Sequence, residues 1–164
     1  MFALTERDRD DFRQWLSYID EHRSVEDVRK SLEACLVEFA NQKRFDMGIW
    51  YEGELAGLVS FENIDWAWKV VEISYMLAVR FRGKGLATKC CRLMVDYAFD
   101  ELGLNRVEIR CAAENTKSQG IPCKLGFTKE GILRQAQWVN DGFVDLVVYG
   151  LLAGDWQLLR NNLA

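Results

Sequence analysis

The sequence predicts a mixed α+β fold, with a central, mostly antiparallel sheet flanked by helices. Three observations predict it. Apolar spacing is helical up to Gln42 and strand-like from Phe45 onward. Glu52-Gly53 and Asn140-Asp141-Gly142, each set between alternating runs, read as hairpin turns. Between the two hairpins a strand, a glycine turn, a long amphipathic helix and a further strand follow one another, which makes those two strands parallel neighbours.

Phe12, Trp15, Leu16 and Ile19 fall at i, i+3, i+4 and i+7, so a helix is expected over about residues 8–21, capped by Asp8 or Asp10. Ser24 with Asp27 resembles a capping box, and Val25, Val28, Leu32, Leu36 and Phe39 mark a second helix to about Gln42. Strands are expected over Phe45–Tyr51, Glu54–Glu62 and Val71–Val79. In the third, Ile73, Tyr75, Leu77 and Val79 face one side, and Glu72, Ser74, Met76 and Ala78 the other. The connection before it, Asn63 to Lys69, carries Trp66 and Trp68. A helix from about Gly85 to Glu101 presents Leu86, Cys90, Leu93 and Tyr97 beside Ala87, Cys91, Met94 and Ala98, and Gly103 ends it. Val107, Ile109 and Cys111 alternate with Glu108 and Arg110 in the next strand. Asn115 to Gly126 reads as a short helix limited by Pro122. Thr128–Val139 and Phe143–Leu152 read as the last strands, with Asp155 capping a C-terminal helix.

At 164 residues, a single domain over residues 1–164 with a real core is expected. A composition 49% hydrophobic and 28% charged is globular rather than disordered. The net charge of -4 comes without a basic stripe, which argues against direct nucleic-acid binding. No apolar run approaches the ~18 residues of a membrane span, and Met1 to Asp11 lacks the apolar core of a signal peptide. Five cysteines without ligand spacing and one histidine argue against a disulfide framework and against a bound metal, and reduced thiols fit the cytoplasm.

The richest stretch is Ala78-Val79-Arg80-Phe81-Arg82-Gly83-Lys84-Gly85-Leu86-Ala87-Thr88-Lys89. A strand ends there, glycines let a ligand approach the backbone, and a helix N-terminus offers unpaired N–H groups, which together suit a phosphate-type anion. It is not a Walker A loop, because Gly85 follows Lys84 where Ser or Thr is needed. It misses the dinucleotide fingerprint at Thr88, where a third small residue belongs. It meets the pattern R-x-x-G-x-G-x-A with Arg80, Gly83, Gly85 and Ala87.

That loop resembles the coenzyme A pyrophosphate loop of the GCN5-related N-acetyltransferases (GNATs). The chain from about Leu4 to Leu152 is similar to the RimJ/RimL branch of that family, which acetylates the N-terminal amine of ribosomal proteins. Glu72-Ile73-Ser74-Tyr75, Leu104-Asn105-Arg106-Val107, Glu114-Asn115-x-x-Ser118, Leu125-Gly126-Phe127 and Glu130-Gly131 carry the likeness in order, followed by the last hairpin with Asp145 and Tyr149. The resemblance implies a sheet with a splayed pair of parallel strands and acetyl-CoA in the splay. It implies pantetheine along the backbone of Leu77, Ala78 and Val79. Pyrophosphate would lie on N–H groups from Arg82 through Gly83, Lys84, Gly85 and Leu86 to Ala87, with the Thr88 hydroxyl, and Asn115 and Ser118 would face the thioester. The family pattern also has a longer basic first strand, for which Met1 to Leu4 leaves room only as a stub.

Acetyl transfer needs a neutral amine and a proton for the departing thiolate. An α-amine of pKa about 8 is roughly one-tenth neutral at pH 7, whereas a lysine amine near 10.4 is neutral to about one part in a few thousand. A carboxylate, directly or through water, then suffices as base. Glu72, a charge on an apolar strand where the family has Glu, is the expected base, and Glu108 the alternative. Many relatives place a tyrosine acid where this chain has Pro122, and the RimJ/RimL pattern implies Ser118 as the proton donor instead. An N-cap role for Ser118 and an ion pair to Arg110 for Glu72 are the plainer readings. His22 is expected on the surface or lining the acceptor mouth, Tyr149 and Cys90-Cys91 in packing, and Trp15, Trp66 and Trp68 in the core, at an interface or walling the acceptor pocket.

The expected function is therefore acetyl transfer from acetyl-CoA to an amine by direct attack in a ternary complex. The expected acceptor is the α-amine of a ribosomal protein. The alternatives are a small amine (polyamine, amino acid or antibiotic) and an acyl-CoA-binding module without turnover. The aromatics and the last hairpin leave room for a homodimer.

Overall fold

The computed structural model describes residues 1–161. Its helices and strands run in the order α1 (Phe2–Arg7), α2 (Arg9–Phe12), a 3-10 turn (Ser17–Asp20), α3 (Val25–Ala40), β1 (Phe45–Tyr51), β2 (Glu54–Asp65), β3 (Val70–Leu77), a 3-10 turn (Val79–Phe81), α4 (Leu86–Asp96), β4 (Arg106–Ala112), α5 (Thr116–Leu125), β5 (Thr128–Val139), β6 (Gly142–Leu152) and α6 (Ala153–Asn161). The strands form one sheet ordered β1-β2-β3-β4-β6-β5. Strands β3 and β4 pair in parallel, and the other neighbours among the described residues are antiparallel.

The crossover helix lies on one face of this sheet. Cys91, Met94, Val95 and Ala98 of α4 bury against a layer that includes Val71, Ile73, Val107, Ile109, Val147 and Leu151, which are alternate residues of their strands. The helix passes into a π turn at Tyr97–Glu101, and Gly103 follows in the left-handed conformation at φ 62°. On its outer side α6 is pinned by the Trp156 indole, which donates to Asp96 Oδ1 at 2.7 Å.

The N-terminal segment differs from expectation. Instead of one helix over residues 8–21 there are one short helix and a 3-10 turn, and Met1 to Leu4, where only a strand stub had room, leads into the helix Phe2–Arg7. Asp8 sits at the N-cap of α2 without capping it, because its carboxylate takes the Val79 N–H at 2.7 Å. The broken path still buries Phe12 and Ile19, so the apolar spacing marks the right core residues and the wrong geometry. Arg9 fixes the path by donating to the carbonyl of Ile19 at 2.5 Å and to that of His22. His22 is buried rather than on the surface, at 8% exposure, and burial lowers its pKa.

Helix α3 begins as expected: Ser24 Oγ accepts the Asp27 N–H at 3.2 Å. Its apolar stripe is only partly used. Val28 is buried, while Val25 and Leu36 remain 67% and 66% exposed. Phe39 packs edge-on to Phe45 at 4.6 Å and ties the helix end to β1. Strand β2 runs past the expected end at Glu62, because a bulge with Asn63 at φ 52° lets pairing resume at Asp65. Trp68 is exposed rather than in the core. Asp155 lies inside the first turn of α6 rather than capping it.

Candidate active site

The parallel ladder is short. Val70 pairs with Arg106, Val71 with Val107 and Glu72 with Glu108, and there it stops. Beyond that rung β3 stays with β2 up to Leu77, while β4 stays with β6 up to Ala112. A wedge-shaped gap therefore opens above Glu72 and Glu108. Ala78 N–H bonds Ala56 O on the β2 side at 2.9 Å, so strand alternation turns the main-chain groups of Tyr75 and Leu77 toward the gap.

At the top of the gap, part of the predicted pantetheine edge is already engaged within the protein. Leu77 O accepts Arg82 Nε at 3.1 Å, and Val79 N–H is held by Asp8. The groups facing the gap without a strand opposite lie one step lower, at Tyr75 and at the Leu77 N–H.

The glycine turn follows. Gly83 and Gly85 adopt φ 76° and 75°, which glycine alone takes without strain, and a Cβ on either would meet nothing within 4 Å. Among the described residues no side chain caps α4, and Lys89 N–H bonds Gly85 O at 3.0 Å in its first turn. Among the described residues the N–H groups from Gly83 through Thr88 have no main-chain acceptor, and they lie at the positive end of the helix. The Arg82 N–H, predicted to join them, is used inside the turn by Val79 O at 3.1 Å.

The three cations of this turn are not equivalent. The Arg80 guanidinium pairs with Glu54 and lies over the Phe81 ring at 4.4 Å. Arg82 forks onto the carboxylate of Asp11, one of the two bonds being 2.8 Å. Lys84 rests over the Tyr51 ring at 4.4 Å and has no carboxylate partner among the described residues. Its charge is the one left for an anion.

Deeper in the gap, on the α4 side of the sheet, stands a hydroxyl cluster. Asn115 caps α5, its Oδ1 accepting the Ser118 N–H at 3.1 Å, so Ser118 is capped rather than capping. Pro122 lies inside α5 and lacks the N–H that would bond the carbonyl of Ser118. An orphaned buried carbonyl costs about 1–3 kcal/mol. Tyr75 satisfies it: its hydroxyl donates to Ser118 O at 2.8 Å and receives the Ser118 hydroxyl at 3.1 Å. Cys111 Sγ lies 3.3 Å from Ser118 Oγ. Burial pushes the Tyr75 phenol and the Cys111 thiol above their ordinary values, so both stay protonated. Tyr149 is held apart, donating to Gln119 Oε1 at 3.0 Å, and burial pushes its pKa up to about 12.

Sequence reasoning does not single out Tyr75 as a site residue. Alternation assigns it to the apolar face, which is right for its ring. The signal for its hydroxyl is Pro122, which announces a carbonyl without a helical donor.

Glu72 is an odd number of residues from Tyr75 and so projects from the opposite face. It stands directly across from Glu62 on β2 and Glu108 on β4. Burial raises its pKa, opposed by Arg110 and reinforced by Glu62 and Glu108. Met76 shares this face, and the Tyr18 hydroxyl reaches its sulfur at 3.5 Å, so the early 3-10 turn covers that side of β3. A cavity of about 520 Å³ lies beside this face, lined by Glu38, Arg44, Glu62 and Trp66 among others.

A strand wedge with a glycine-opened helix N-terminus at its top, a hydroxyl cluster on one face of the sheet and a carboxylate on the other suits a transferase for an acyl group carried on a phosphate-bearing thiol. Residues 2–128 match the model of the acetyltransferase (GNAT) domain, and the chain belongs to that family. It is 37% identical over 145 residues to the putative ribosomal N-acetyltransferase YdaF of Bacillus subtilis (strain 168), covering 88% of this chain and 79% of that protein. The structure of RimL, the ribosomal L7/L12 alpha-N-protein acetyltransferase, in complex with coenzyme A superposes with a TM-score of 0.87 at 26% identity, covering 94% of this chain and 87% of that one. The microcin C7 self-immunity acetyltransferase MccE in complex with acetyl-CoA and AMP gives 0.87 at 28% identity, over 92% and 84% of the two chains. The protein is an acetyl-CoA-dependent N-acetyltransferase of the RimJ/RimL-like branch.

Proposed function

We propose that the protein acetylates the N-terminal α-amine of a cytoplasmic protein, with a ribosomal protein as the acceptor class. Acetyl-CoA enters the wedge from the α4 end. Its pyrophosphate lies on the N–H groups of Gly83–Thr88 with Lys84, and its pantetheine runs along Tyr75 and Leu77. The thioester then sits between Ser118 on one face and Glu72 on the other. Glu72 removes the proton of the incoming ammonium, directly or through one water. The neutral amine attacks the thioester carbonyl and forms the N–C bond. The C–S bond of the tetrahedral intermediate breaks as Ser118 gives its proton to the sulfur, and the second proton of the nitrogen passes through water to the Ser118 oxygen, leaving a neutral amide, the CoA thiol and Glu72 carrying the first proton to solvent.

The observation that supports this most is the placement of a half-buried carboxylate of raised pKa on the last rung before the wedge, across the sheet from the Ser118 hydroxyl. Such a base is matched to an amine already partly neutral, as an α-amine is. Relatives with ribosomal names support the same acceptor class.

The test is to incubate the protein with acetyl-CoA and a panel: peptides with a free serine or alanine N-terminus, N-blocked lysine peptides, and spermidine. Mass spectrometry then locates the acetyl group. Label on the α-amine of the free-terminus peptides is expected. Preferred modification of spermidine or of blocked lysine peptides would overturn the acceptor class and leave the chemistry standing.

A further inference from the structure

The Tyr75 hydroxyl lies within reach of both the main chain and the side chain of Ser118, and Pro122 is the reason the main-chain contact exists. We propose that Tyr75 is a positioning residue for acetyl transfer: it docks the first turn of α5 against β3 and so aims the Ser118 hydroxyl into the wedge. This rests on the assignment of Ser118 as the proton donor.

Three features make the contact more than packing. The Tyr75 ring packs against the buried core from a central strand of the sheet, which holds its hydroxyl in place. The bond it donates, 2.8 Å to Ser118 O, takes the place of the helical bond that Pro122 cannot make, so strand and helix are joined at the residue that must be aimed. The bond it receives holds Ser118 Oγ, and the Asn115 cap holds the Ser118 N–H. Ser118 is thus fixed at its amide, its carbonyl and its hydroxyl by three separate side-chain contacts. When sulfur takes the Ser118 proton, only the hydroxyl contact is given up. The carbonyl contact stays, so the helix does not move during the transfer.

The experiment is a double-mutant cycle with Tyr75→Phe and Ser118→Ala, followed by thiol release from acetyl-CoA with the best acceptor of the panel. If no acceptor is turned over, acceptor-free thiol release serves. Tyr75→Phe is expected to lower kcat about tenfold, with KM for acetyl-CoA changed less than twofold. In the Ser118→Ala background the same change is expected to alter kcat less than twofold, because the hydroxyl to be aimed is gone. An equal loss in both backgrounds, or no loss in the parent, overturns the proposal. Ser118→Ala with unchanged kcat removes the proton-donor assignment and this proposal with it. A loss on Ser118→Ala without one on Tyr75→Phe removes this proposal alone. Should Tyr75→Phe fold poorly, Pro122→Ala tests the same relation. The new N–H competes with Tyr75 for Ser118 O, and a several-fold drop in kcat is expected; unchanged kcat would count against the proposal.

Discussion

Glu72 and Glu108 stand side by side on the last parallel rung, yet they share Arg110 unequally. Arg110 lies 3.6 Å from Glu72 and 2.9 Å from Glu108, and Glu108 has Arg106 at 2.9 Å as well. The Glu108 carboxylate already has its oxygens engaged by two guanidiniums and offers an incoming amine few free lone pairs. Glu72, half-buried with one distant cation, is the better base. Replacing Glu72 by Gln is expected to lower kcat by about 10²-fold, the usual contribution of a general base. The acid limb of the pH profile, which rises as Glu72 ionises above the usual carboxylate range, is expected to vanish with it. Glu108→Gln is expected to cost no more than about tenfold and to keep that limb. Steady-state kinetics of both variants from acid to neutral pH check this, and a reversed ranking would move the base to Glu108.

The same group is expected to weigh on stability. Its folded pKa lies above its unfolded value, so ionising it costs folding free energy. That cost is absent below the unfolded pKa and complete above the folded one. Glu72→Gln is therefore expected to raise Tm at pH 7 and to leave it nearly unchanged near about pH 3, where both forms are neutral. Thermal unfolding at the two pH values measures it. A Tm lowered at pH 7 would mean that the contact with Arg110 outweighs the burial.

Lys84 and Arg82 are expected to separate affinity from stability. Lys84 has no carboxylate partner among the described residues, whereas Arg82 is spent on Asp11 and on the Leu77 carbonyl. Lys84→Ala is expected to raise KM for acetyl-CoA about tenfold at low salt, equivalent to about 1.4 kcal/mol, and less at high salt. Arg82→Ala is expected to lower Tm, because Asp11 and the strand end lose their partner. Kinetics at two ionic strengths, together with thermal melts, distinguish the two. Equal effects on KM from both substitutions would place Arg82 at the phosphates instead.

Much of this site was legible in the sequence because its information is local. Gly83 and Gly85 announce a left-handed turn, the Ser24–Asp27 spacing announces a cap, and the alternation of β3 separates Glu72 from Tyr75. What was not legible depends on residues distant in the chain. Asp8 looks like a helix cap until Val79 is brought to it, and Arg82 looks like a phosphate ligand until Asp11 is. Phe12 and Ile19 keep helical spacing along a path that is not one helix, because the carbonyls of Ile19 and His22 are claimed by Arg9. The face of β3 that carries Glu72 is the least legible, since its surroundings come from β1, β2 and the early turn, where Tyr18, Arg44 and Glu62 meet only in the folded state.

Gly57 and Gly150 are expected to be intolerant of a side chain for different reasons, and the two substitutions together probe how the sheet carries the site. A Cβ on Gly57 would collide with the backbone oxygen of Met76 and lie 3.0 Å from Leu77 Cα, and neither can yield without separating β2 from β3. That change is expected to cost about 3 kcal/mol or more, at the upper end of overpacking, and to loosen the strand that presents Glu72 and Tyr75. A Cβ on Gly150 would meet Glu130 Oε1 and, at 2.7 Å, Arg106 Nη1, the tips of side chains that can turn away. Gly150→Ala is therefore expected to cost about 1 kcal/mol by expelling the Arg106–Glu130 pair from above the strand. It frees Arg106 to bind Glu108 alone. Denaturant melts of the two variants give the ranking. A Gly57→Ala protein as stable as the parent would show that Gly57 does not pair with Leu77 and that β2 and β3 meet in another register.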